Sequence, residues 1–105
     1  MAADRVAVLE RMLERRPDDA RLRFGLALEY LNADRLHEGV RELRAYLEAS
    51  EDEGNAWGRL GAALRTMGRD DEAREAYLRG IEAASRHGHP TMAEEFQDVL
   101  DGWDP

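Results

Sequence analysis

Residues 57–80 read WGRLGAALRTMGRDDEAREAYLRG. Trp57, Leu60, Gly61 and Leu64 recur at i, i+3, i+4 and i+7, the spacing of one face of an amphipathic helix. Gly68-Arg69-Asp70 interrupts the run, with Asp70 placed to cap a following helix. Ala73, Ala76, Tyr77, Gly80 and Ile81 then form a second stripe. Glycines at contact positions inside helices suit close helix packing better than helix stability, since each costs about 1 kcal/mol against alanine.

Working outward, a shift of 34 residues superposes this stretch on the one before it. Leu26-Ala27 falls on Leu60-Gly61, Tyr30 on Leu64, Asp34 on Gly68, Glu38-Gly39 on Glu72-Ala73, and Leu43 on Tyr77. One shift further back, VAVLERMLERR aligns with VRELRAYLEAS. Such a period marks a repeat architecture. The division expected is a half-repeat helix at 1–19, repeats at 20–53 and 54–87, and a closing helix at 88–105. In that last segment Thr91 and Glu94 have capping-box spacing, and Met92, Phe96, Val99, Leu100 and Trp103 share a face. It reads as a solvating cap for the stacking face of the last repeat. Only five residues are valine or isoleucine, and nothing alternates with strand period.

The pattern resembles the tetratricopeptide repeat, W-x2-L-G-x2-Y followed by G, E-A, an aromatic and P. Trp57, Leu60, Gly61, Gly68, Glu72, Ala73 and Tyr77 match in order and spacing, and Pro17 matches a closing proline. The first full unit departs from it: Arg23 replaces the tryptophan, Gly39 the alanine, and Tyr46 stands where a small residue is usual. The resemblance implies an all-α, right-handed α-solenoid of antiparallel helix pairs, about six helices in one domain. It also implies a non-catalytic protein–protein interaction module that takes a peptide or helix in a concave groove.

The groove residues expected are Arg21, Phe24, Leu28 and Leu31 from the first unit, with Asn55, Arg59 and Arg65 from the second. Phe24, Leu28 and Leu31 form an i, i+4, i+7 stripe apart from Leu26 and Tyr30, to be either buried by neighbouring helices or left open to a partner. Some family members clamp chaperone C-termini with lysine and asparagine. The corresponding positions here hold Phe24, Leu28, Gly58, Ala62, His89 and Ala93, so that clamp is not implied. The alternative function is a self-associating, homodimeric module, joined through the same stripe or through an open half-unit end at Val6, Leu9 and Leu13.

Composition sets the outer limits. The chain has 105 residues, 43% hydrophobic and 36% charged, enough for one small domain. Its net charge of −8 argues against nucleic acid, and no apolar run is long enough for a membrane span. A cytoplasmic location is expected, because the apolar run near the start is too short for a signal-peptide core. All 15 bases are arginine, which fits either a GC-rich genome or adaptation to high salt. There is no cysteine. His87-Gly88-His89 lacks carboxylates at convincing ligand spacing, Ser50 and Ser85 lack a base and acid partner, and no phosphate-binding glycine loop occurs. No enzyme activity, cofactor or metal is expected.

Overall fold

The computed structural model describes residues 2–103, with side chains from Arg5 onward. It contains six helices and, among the described residues, no strand: α1 (Ala2–Arg15), α2 (Ala20–Asn32), α3 (Leu36–Ala49), α4 (Asn55–Thr66), α5 (Asp70–Arg86) and α6 (Pro90–Asp101). They form two compact units, residues 1–50 and 51–105.

In the first unit, Asp19 caps α2 by accepting the Leu22 N–H at 3.1 Å. The core joins Val6 of α1 to Leu26 and Tyr30 of α2, with Leu9 and Leu13 packed against them. This corrects the expected open half-unit end, because Val6, Leu9 and Leu13 lie on the face of α1 that covers α2. Among the described residues of α1, the large apolar side chains left exposed are Val8 and Met12. Ala27, Val40 and Leu43 bury the pairing of α2 with α3. There, a Cβ on Gly39 would lie only 2.9 Å from Leu31 Cγ and 3.4 Å from the Ala27 carbonyl, so the glycine sets the helix separation.

Two polar groups are built into this unit. The Arg23 guanidinium donates to Glu42 at 2.5 Å and to the Pro17 carbonyl at 3.0 Å, and Glu42 is only 8% exposed. The Tyr30 hydroxyl donates to Glu10 at 2.5 Å. Burial first, then this hydrogen bond and the neighbouring negative charge, push the phenol up to about 12.

In the second unit, Asp52 accepts the N–H groups of Gly54 and Ala56 at 2.8 and 2.9 Å, satisfying donors that the start of α4 leaves unpaired. The core comprises Ala56, Leu60, Ala63, Leu64, Ala73, Ala76, Tyr77, Ala83 and Ala84. A Cβ on Gly61 would meet the Tyr77 ring at 2.8 Å, so α4 and α5 approach as closely as that ring allows. Phe96 and Trp103 stand edge-on to Tyr77, at 5.7 and 6.1 Å.

Two expected caps sit differently. Asp70 lies inside the first turn of α5, with Asp71 and Glu72, where acidic groups favour the helix dipole. Arg69 occupies the cap position and donates to Glu72 at 2.6 and 2.8 Å. Arg35 makes the equivalent pair with Glu38 at the start of α3. Thr91 is not a cap either, since α6 begins at Pro90 with His89 before it and no side-chain cap bond. Proline is pre-organised for that first helical position, where its missing N–H is not needed.

Candidate partner-binding surface

Helix α2 positions four of the expected groove residues within the first unit. Arg21 is exposed, while Phe24, Leu28 and Leu31 are half-buried. Phe24 and Leu31 are seven residues apart and so share a face, and that face turns toward α3. The Phe24 ring lies 5.0 Å from the Tyr46 ring at an angle of 37°, and Leu31 lies over Gly39. Leu31 therefore completes the helix pair, while Phe24 is braced by Tyr46. A cleft of about 410 Å³ opens on the Tyr46 side of this pair, bordered by Pro17, Asp18, Ala20, Arg23, Tyr46 and Glu48.

In the second unit, Asn55 begins α4 and is exposed, as are Arg59 and Arg65. The Arg65 guanidinium lies 4.2 Å from the centre of the Trp103 ring, and Arg74 lies 4.9 Å from the same ring. An indole face attracts cations in this range. Arg65 is thus held against Trp103, two residues beyond the end of α6, an arrangement that sequence spacing does not signal.

The histidines of the turn between α5 and α6 face the segment before α4. His89 Nε2 lies 2.5 Å from Glu53 Oε1, and His87 Nε2 lies 3.6 Å from Glu51 Oε1. The bond to His89 holds the Glu53 carboxyl below its ordinary range. Among the described residues, no three histidine or acidic side chains gather as a metal site, and no helix is long and apolar enough to cross a membrane.

Comparison with known proteins agrees with this geometry. The family model for the tetratricopeptide repeat matches residues 54–87. The chain is 33% identical over 92 residues to the TPR repeat-containing protein PA0015 of Pseudomonas aeruginosa, covering 88% of each. It superposes on the solution structure of protein BPP2914 from Bordetella parapertussis with a TM-score of 0.77 and 31% identity, over 91% of this chain and 84% of that one. The Sgt2 TPR domain from Aspergillus fumigatus shares the fold at 21% identity, with a TM-score of 0.71 over 99% of this chain and 74% of that one. The repeat signature, the helix pairing it produces and the relationship to PA0015 place the chain in the tetratricopeptide repeat family.

Proposed function

We propose that the chain is a non-catalytic protein-binding module that takes a peptide or helix on the first helices of its repeats. On the first unit the contact residues are Arg21, Phe24 and Leu28 of α2. The observation that supports this most directly is the Phe24 and Tyr46 pair, which leaves a large, rigid aromatic side chain half-exposed beside a cleft and next to an exposed arginine. Braced aromatics and arginines are the residue types that dominate binding energy at interfaces. On the second unit Asn55, Arg59 and Arg65 are the polar contact residues. The guanidiniums suit a partner with carboxylates, each exposed pair adding about 0–1 kcal/mol.

The test compares partners captured from the native host, at native salt, by wild type and by Phe24→Ala/Arg59→Glu. Reduced recovery of a specific partner by a variant of unchanged helicity is expected. Equal recovery of that partner would overturn the assignment of these residues.

A further inference from the structure

In the first unit two aromatic rings, Phe24 and Tyr46, face each other across α2 and α3. The positions 34 residues later are both glycine, Gly58 on α4 and Gly80 on α5. There the ring is supplied by α6. A Cβ on Gly58 would lie 2.5 Å from Phe96 Cζ, and one on Gly80 would lie 2.9 Å from Phe96 Cε2. One turn before Gly58, a Cβ on Gly54 would lie 2.7 Å from Met92 Sδ. Met92 and Phe96 are four residues apart on one face of α6. The three glycines therefore form a notch shaped for one apolar and one aromatic side chain of an incoming helix.

Helix α6 is anchored by these side chains but buries no residue fully, whereas α2, α3, α4 and α5 each bury three or more. It is joined to α5 by the turn His87-Gly88-His89, in which Gly88 has φ +76°. The turn is closed by the Gly88 and His89 N–H groups donating to Ser85 and Ala84 at 3.3 and 2.8 Å.

We propose that α6 is exchanged between two copies of this chain, the notch of one copy receiving Met92 and Phe96 of the other. A second copy offers the same helix, so docking in trans reproduces every notch contact made in cis. The difference lies in association and in opening the 87–89 turn, which makes exchange a low-cost route to a dimer. This inference is independent of the α2 surface proposed above, because it uses only residues of the second unit.

Gly88→Ala isolates the hinge. A Cβ there has open space, so its effect is the strain of a left-handed conformation in the closed turn, released when the turn opens. That strain should tighten dimerisation of the full chain roughly tenfold per hinge. Sedimentation of Gly88→Ala should show a concentration-dependent dimer of wild-type helicity, and Gly88→Ala/Phe96→Ala should be monomeric. A folded Gly88→Ala that remains monomeric at every concentration overturns the proposal. So does a dimer that survives Phe96→Ala, since self-association would then use another surface.

A fluorescent peptide of residues 88–103, titrated with full-length wild type, makes the test independent of variant folding. Saturable binding that is lost when the peptide carries Phe96→Ala is expected. No binding, or equal binding of both peptides, overturns it.

Discussion

Gly61→Ala measures how far the contact between α4 and α5 depends on a missing methyl group. The added Cβ would lie 2.8 Å from Tyr77 Cδ2 and Cε2 and 3.1 Å from Cζ, all inside ordinary van der Waals contact. The ring has little room to retreat, being 6% exposed and flanked edge-on by Phe96 and Trp103. Overpacking of this kind costs about 1–3 kcal/mol. Alanine returns about 1 kcal/mol of helix propensity. The expected net loss is about 1 kcal/mol, a fall in Tm of about 4–8 °C for a domain of this size.

Gly25→Ala is the control, because a Cβ at Gly25 in α2 meets nothing within 4 Å. There only the backbone term remains, and a gain of about 0.5–1 kcal/mol is expected. Tyr77→Leu supplies the third arm. The pair 34 residues earlier is Ala27 and Leu43, both fully buried, so Gly61→Ala/Tyr77→Leu installs the first unit's side chains in the second. Gly61→Ala should cost less in that background, giving a non-zero coupling in a double-mutant cycle. Thermal unfolding followed by circular dichroism reads all four proteins. Shifts of the same sign for Gly25→Ala and Gly61→Ala, or additive effects at 61 and 77, would refute the packing argument.

Two further predictions concern the first unit. Arg23→Met removes the 2.5 Å ion pair from Glu42, 8% exposed, leaving it the longer Arg41 contact at 3.2 Å, and should lower the urea-unfolding free energy by about 1.5–3 kcal/mol. Arg23→Trp/Glu42→Ala copies Trp57 and Ala76 of the second unit and should recover most of that loss, since apolar replacement of a buried ion pair is often neutral or stabilising. Tyr30 is raised in the folded state from near 10 to about 12, so its contribution is complete below pH 10 and is lost as pH rises through the folded value. Ultraviolet titration should find one tyrosinate forming near pH 12, and Tyr30→Phe should flatten the alkaline limb of the stability curve.

The all-α repeat fold was legible because it is written in spacing. Leu26 and Tyr30, Leu60 and Leu64, and Ala73 and Tyr77 are four residues apart, and all six are buried. Helical periodicity fixes such faces whatever lies opposite them. The helix starts were less legible, since several residues compete for each cap. Pro90 took the first position of α6 ahead of Thr91, and the Arg69 pair with Glu72 took the start of α5. Arg23 in place of a tryptophan looked like erosion of the repeat. In the structure it is one half of a substitution whose other half is Glu42, nineteen residues away on α3. A single sequence shows each departure but not that they compensate one another.

The candidate surface was the least legible feature, because periodicity says which residues share a side and not what covers that side. Phe24, Leu28 and Leu31 read as one stripe, yet Leu31 is covered through Gly39 and Phe24 leans on Tyr46. The exchangeable helix has the same origin. In the sequence Gly58 stands at a position of the missing clamp and Gly80 at a helix contact, with nothing to link the two. Only the fold shows that they flank a single ring, Phe96, sixteen residues beyond the nearer of them. A glycine in a helix is ambiguous in sequence because its function belongs to whatever occupies the space it leaves. That occupant can come from the same pair, as Tyr77 does at Gly61, or from another helix, as Phe96 does at Gly58 and Gly80. The second kind of glycine makes a receptor surface, and in this chain it lies where the repeat pattern alone would place packing.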